Sequence, residues 1–240
     1  MREKPQQQDE EVLVAPQKKT AQLQSFFTQD VRLIDQLSKS GIVVLTGLDG
    51  AGKSSVANII TGPTVHSYDL PYGFLRSEKI RKATTRVERL TDARGEYMYV
   101  DQMEFDTLIT SKHFIEYQEV RPGVFYGVLK EEVCNDKKKL VVKVLILDYV
   151  GAKKFATIPG VPIFFIAPSN PDDALKRRIA ELKKAGRPLS AKDIAARKKV
   201  NKLAWEERNH PGFTFIANDV NAEECALKIR NEIRLYKFKQ

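Results

Sequence analysis

Cysteine is nearly absent from this chain: Cys134 and Cys225 are the only two in 240 residues. So sparse a pair builds no disulfide framework and fits a reducing compartment. Histidine is scarce as well, and His66, His113 and His210 are too scattered to suggest a metal site. Trp205 is the single tryptophan. Stacking platforms for single-stranded nucleic acid are therefore not evident, and a nucleic-acid partner is not expected. No apolar run is long enough to cross a bilayer; the longest, near 140–150, contains Lys143 and Asp148. The first eleven residues are polar rather than an apolar leader, which predicts a cytoplasmic protein. These shortages exclude membrane-spanning, disulfide-rich and collagen-like classes. A composition of 42% hydrophobic and 30% charged residues is that of a soluble globular protein.

Charge of one sign is in excess, and its position is informative. The net charge is +9, yet residues 1–40 carry six basic and six acidic side chains and contribute nothing to it. Residues 172–208 hold twelve basic against six acidic. Such a segment is either a solvated helical face or a surface that meets phosphates or another acidic partner.

The Gln-, Lys- and Glu-rich residues 1–22 read as a disordered tail. Leu23, Phe27, Val31, Ile34 and Leu37 recur at spacings of three and four, which predicts an amphipathic helix over 23–38. Together these make residues 1–40 an N-terminal extension to a domain over 41–240. Inside that domain, apolar runs at 42–46, 141–147, 163–166 and 213–217 suit strands buried on both faces. Helical patterns lie at 103–109, 130–135, 171–182, 191–207 and 222–235, and 97–100 is strand-like. Strands alternating with helices predict an α/β fold with a parallel sheet covered on both sides.

Residues 47–54 read GLDGAGKS, the pattern G-x-x-x-x-G-K-[ST], between an apolar strand and a helix candidate. Glycines let backbone N–H groups turn around phosphate oxygens, and the following helix directs its free N–H groups at the same anion. Gly47, Asp49, Gly50, Ala51, Gly52, Lys53, Ser54 and Ser55 are thus the candidate ATP-binding residues. Lys53 would neutralise the β- and γ-phosphates, and Ser54 would ligate Mg²⁺.

Further motifs follow in order. Thr84, Thr85, Arg86 and Arg89 form T-T-R-x-x-R; residues 96–100 read EYMYV and 114–117 read FIEY. Residues 125–127 read FYG, 145–151 LILDYVG, 164–179 FFIAPSNPDDALKRRI and 216–219 IAND. In order and spacing this set resembles the guanylate kinases over about 41–238. The resemblance implies a P-loop core with a small acceptor-binding part at about 82–128 and a basic helical lid at about 172–208. It implies phosphoryl transfer from Mg-ATP to a nucleoside monophosphate, GMP or dGMP. It places Glu116 on the guanine-recognising glutamate, and Asp148 in the acceptor and metal region. Lid residues Arg178 and Arg187 are then candidates, with Lys53 and Arg86, to act on the transferring phosphoryl; Arg197 or Lys199 follows.

The residues support this chemistry independently. Arg86 and Arg89, with Thr84 beside them, offer guanidinium forks suited to a phosphate dianion, and Tyr97 and Tyr126 could add hydroxyls. Surface arginines and core tyrosines are the plainer alternative. A carboxylate such as Glu116 can accept both N1–H and N2–H from guanine, whereas adenine presents an acceptor at N1. The chain also departs from the family. Lys82 replaces a base-contacting serine, Val128 a serine or threonine, and Ile146 an aspartate; Pro122 adds a residue, and the stretch from Lys53 to Arg86 is longer. All of these changes fall outside the donor loop. Two alternatives stay open: the same mechanism on a deoxynucleotide, modified base or sugar phosphate, and a non-catalytic binding module.

Overall fold

A computed structural model describes residues 25–63, 70, 76–89, 92, 95–134 and 141–235. The tail expected at 1–22, Leu23, His66 and Asn135 lie outside the described residues.

Strand β2 (Ile42–Gly47) is buried along its whole length at the centre of a five-stranded parallel sheet. β8 (Val141–Ile146) flanks it on one side and β9 (Ile163–Ala167) on the other. β10 (Thr214–Ala217) and β3 (Arg76–Lys79) form the edges. Its alternate side chains enter two different cores, as a strand's two-residue period requires. Val43 and Leu45 join Val56, Ala57 and Ile60 of α2 (Lys53–Ile60) and Ile229 and Ile233 of α8 (Ala222–Leu235). Ile42 and Val44 face Leu33 and Leu37 of α1 (Val31–Ser38) and Phe155 of α5 (Tyr149–Phe155). The expected parallel sheet with two covered faces is what the chain builds.

A second sheet has the order β1 (Ser25–Phe27), β6 (Phe114–Arg121), β7 (Val124–Leu129), β4 (Lys82–Thr84), β5 (Tyr97–Tyr99). All its pairings are antiparallel except β4 with β5. Helix α3 (Gln102–Thr110), closed by a capping box between Asp101 and Glu104, buries Phe105 against Phe114 and Phe125 of this sheet. The sequence pattern assigns no element to 114–129. The β6–β7 hairpin there has register shifts between Phe114 and Glu116 and between Glu119 and Arg121, which break the alternation that would mark a strand.

The helix expected over 23–38 is a correction. Residues 25–27 are a strand, and the helix begins at Val31. Asp30 stops it from extending backwards, because its extended backbone places the carboxylate as acceptor for the N–H groups of Arg32 and Leu33. Val31, assigned to the apolar face by its spacing, is 78% exposed, while Leu33 and Leu37 are buried.

α6 (Pro171–Lys184) and α7 (Ala191–Glu206) carry most of the basic segment. They bury little: Ala174 and Leu182 in one, Asn201 and Ala204 in the other. Among the described residues no helix is long and apolar enough to cross a membrane.

Candidate active site

The phosphate loop leaves the carboxyl end of the central strand, where ligand sites of parallel sheets form. Two of its glycines are dictated by contact. A Cβ on Gly47, whose φ is +129°, would lie 1.9 Å from the Ile166 carbonyl oxygen; one on Gly50 would lie 2.0 Å from that of Ala174. Asn218, after β10, donates to the Ala51 carbonyl at 2.8 Å and ties the loop to the sheet. Gly52 caps α2 without a side chain, so the first N–H groups of that helix have no side-chain acceptor at the cap. Ser54 and Ser55 stand exposed beside them. Lys53 donates to the carbonyls of Gly47 at 3.0 Å and Leu48 at 2.7 Å. Burial lowers its ammonium to about 8, against the opposing charges of Asp49 and Asp148.

The basic helices reach this loop. Asp49 pairs with Arg197 of α7, and Arg178 Nε of α6 is 3.6 Å from its other carboxylate oxygen. Asn201, one turn beyond Arg197, grips the Asp49 backbone twice: its Oδ1 accepts the N–H at 2.8 Å and its Nδ2 donates to the carbonyl at 3.2 Å. Lys199 is exposed.

The second sheet supplies the facing wall. Arg86 is buried, with Nε donating to the Tyr126 hydroxyl and Nη1 to Asp92, each at 2.9 Å. Asp92 also accepts from the Tyr99 hydroxyl and the Arg89 N–H, both at 2.7 Å. Burial alone would raise its carboxyl; the bonds from Arg86, Tyr99 and Arg89 outweigh that and hold it near 2. Arg89 is lowered by burial, then by the charges of Arg86 and Arg187, which puts that lid arginine within electrostatic reach of this wall. Thr84 is fully buried; its hydroxyl donates to the Phe125 carbonyl and accepts the Arg86 N–H, so it shapes the turn that carries Arg86. The Arg86 guanidinium lies 5.0 Å from the Tyr97 ring centroid.

Lys82 donates to the Ile146 carbonyl at 2.8 Å and sits 5.6 Å from the centroids of both Tyr97 and Tyr126. Burial lowers its ammonium, opposed first by Asp148 and then by Glu116. Glu116, 4% exposed on β6, has Lys154 Nζ at 3.4 Å. Asp148 caps α5 by accepting the Gly151 N–H, and its other oxygen accepts from Gln118 at 2.9 Å. Val128 is fully buried in the apolar cluster with Ile115 and Leu145.

These walls enclose a cleft of about 350 Å³. Asp49 and Lys53 line it from the loop, Lys82, Glu116 and Tyr126 from the second sheet, and Asp148 from the cap of α5, just beyond β8. Ser54 and Lys82 share a smaller adjoining space. Among the described residues no three His, Cys, Asp or Glu side chains cluster as a metal cage. A hydroxyl and a carboxylate, such as those of Ser54 and Asp148, are hard oxygen donors of the kind that suits Mg²⁺, an ion that keeps waters and takes most of its ligands from phosphates.

Sequence reasoning missed Asp92, Tyr99, Gln118, Lys154 and Asn201. Signals existed for Asn201, which lies four residues after Arg197 and hence on the same helical face, and for Tyr99, which lies in the EYMYV motif.

A glycine cradle at the end of a parallel sheet, opposite an arginine-bearing sheet, defines a P-loop phosphotransferase architecture. Comparison gives the family. A family model described as Guanylate kinase matches residues 39–234. The chain is 28% identical over 202 residues to the guanylate kinase of Anaplasma phagocytophilum, covering 82% of this chain and 88% of that one. It is 33% identical over 141 residues to that of Salinibacter ruber, covering 58% and 69%. The crystal structure of guanylate kinase from Anaplasma phagocytophilum superposes with a TM-score of 0.56 at 23% identity, over 83% of this chain and 87% of that one. The chain belongs to the guanylate kinase family.

Proposed function

We propose that the protein is a nucleoside monophosphate kinase that transfers the γ-phosphoryl of Mg-ATP to GMP or dGMP, giving ADP and the diphosphate. The observation that carries this reading is the pairing of two anion-binding walls across one cleft, with a buried carboxylate, Glu116, beside them. Residues 47–55 hold the donor phosphates. Residues 82–128 form the acceptor-binding part, and 172–208 the lid.

In this mechanism no covalent intermediate forms. Arg86 and Arg89 fix the acceptor phosphate, helped by Tyr97 and Tyr126. Glu116 accepts N1–H and N2–H of guanine. Lys53, Arg178 and Arg197 stabilise the charge on the transferring phosphoryl, the two arginines exchanging Asp49 for phosphate oxygens, and Arg187 approaches from the lid. Val200 and Ala204 of α7 line the cleft and exclude water, so that ATP is not hydrolysed. Ser54 and Asp148 would hold Mg²⁺, which neutralises phosphate charge when bound. A cytoplasmic location belongs to this reading, and both cysteines are free thiols.

Lys82 favours a second reading, the same transfer to a different acceptor, because it puts an ammonium where the family has a hydroxyl. Coupled ADP release with Mg-ATP and GMP, dGMP, AMP, CMP, UMP, dTMP or ribose phosphate separates the two. Turnover on GMP or dGMP above the others is expected. Preference for another acceptor selects the second reading, and turnover on none contradicts both.

A further inference from the structure

Glu116 is buried, and its apolar neighbours do not support a charge on its carboxyl group. Phe114, Ile115 and Val128, its neighbours along β6 and its register partner on β7, are all buried hydrophobic residues. A carboxylate in such a place needs a cation or it becomes neutral. That cation is Lys154 of α5, 38 positions away in sequence. Its ammonium donates to Glu116 Oε1 at 3.4 Å and to the Phe26 carbonyl at 3.2 Å. Phe26 lies on β1, which precedes the residues matched by the family model and pairs with β6 so that Phe27 stands opposite Glu116. β1 is anchored at both of its aromatic residues. Phe26 stacks on Tyr117 with centroids 5.5 Å apart, and Phe27 meets Phe155 edge-on at 5.6 Å.

We propose that Lys154, held by the Phe26 carbonyl of the N-terminal strand, is a positioning residue that keeps Glu116 ionised and aimed at the acceptor base. The inference rests on the proposed function, since Glu116 is the group that reads the base there. Lys154 acts from behind that carboxylate, on α5, the helix that Asp148 caps. The strand before the family domain is thereby a working part of the acceptor site rather than an appendage. The charged groups that act on Glu116 are Lys154 from α5, Asp148 from the start of α5 and Lys82 from β4. Burial pushes the Glu116 carboxyl up to about 7; Lys154 opposes that shift most and Asp148 adds to it. Loss of Lys154 therefore moves the carboxyl further up, and a base-binding carboxylate is then present only at higher pH.

The test uses the full chain with Lys154→Met, Lys154→Arg and Glu116→Gln. Steady-state kinetics with GMP and Mg-ATP are taken between pH 6 and 9. The expected result for Lys154→Met is a rise in the GMP KM of about tenfold at pH 7, equivalent to about 1.4 kcal/mol. That rise shrinks toward pH 9, while the ATP KM stays within twofold, and Lys154→Arg restores most of the loss. An unchanged or lowered GMP KM in Lys154→Met overturns the proposal, as does a pH-independent loss that Arg does not repair. A second readout needs no turnover. The Glu116 carboxyl carbon, labelled with ¹³C and identified by its loss in Glu116→Gln, is titrated by NMR in wild type and Lys154→Met. An upward shift of the midpoint in the variant supports the positioning role; an unmoved midpoint overturns it. If no monophosphate is phosphorylated but the midpoint moves, the proposed function fails and the Lys154–Glu116 coupling stands.

Discussion

The two walls of the cleft are built on opposite principles. The donor wall is backbone: glycines packed against carbonyls, the uncapped start of a helix, and one lysine that folds onto its own loop. The acceptor wall is side chain, and four of its charges already have internal partners. Arg86 has Asp92, Glu116 has Lys154, Lys82 has the Ile146 carbonyl, and Asp148 has Gln118. A backbone cradle tolerates few changes in sequence, because its shape is the site. A wall of paired side chains can change residue by residue while its charges stay compensated. Of the positions where the sequence departs from the pattern it resembles, Lys82 lies on that second wall, Val128 is buried behind it in an apolar cluster, and Ile146 ends β8 of the parallel sheet. The comparison teaches that a wall of side chains leaves room for substitution, whereas the backbone wall is fixed by its contacts with main chain.

The largest effect expected is on the backbone wall. Gly47→Ala must push a methyl into the Ile166 carbonyl at a φ of +129°. It should lower unfolding stability by about 3 kcal/mol or more, read as a fall in the denaturant midpoint. A midpoint unchanged within error would show that the loop is not shaped by this contact. On the side-chain wall the effect is smaller and selective. Arg86→Lys keeps the charge but cannot span Tyr126, Asp92 and the Val87 carbonyl together. The acceptor KM should rise by roughly 30-fold, about 2 kcal/mol, with the ATP KM little changed. Equal losses for both substrates would break the division between the walls. The smallest effect sharpens it. Lys53, lowered to about 8, is half neutral at that pH, and bound phosphate restores its charge. ATP binding should therefore take up about half a proton at pH 8 and almost none at pH 6.5. Calorimetry in buffers of different ionisation enthalpy measures this, and uptake that does not fall with pH contradicts it.

The same contrast governs what could be read from the sequence. The donor loop is legible because its eight residues are contiguous and its strand and helix adjoin it. The parallel sheet is legible because strands buried on both faces are apolar runs, as at Ile42–Gly47 and Ile163–Ala167. The acceptor wall is not local. Arg86 and Arg89 form a pattern, but Asp92 beside them follows no spacing that marks a partner. Lys154 and Glu116 come together only because β1 and α5 pack around β6. Asp49 and Asn201 are 152 positions apart. The helix expected over 23–38 holds only from Val31 to Ser38, and its first half failed for a related reason. Phe27 has the spacing of a helical face, but its neighbours bond to β6 instead, and the local pattern holds no trace of that distant strand.

The most direct measurement compares Lys53→Ala with Glu116→Gln, each against wild type, under saturating and limiting GMP with Mg-ATP. The division into two walls predicts that Lys53→Ala lowers kcat by about 10³-fold or more with GMP binding retained. It predicts that Glu116→Gln raises the GMP KM by roughly tenfold to a hundredfold with the ATP KM unchanged. Retained turnover in Lys53→Ala, or a Glu116→Gln variant that handles GMP as wild type does, would contradict the account.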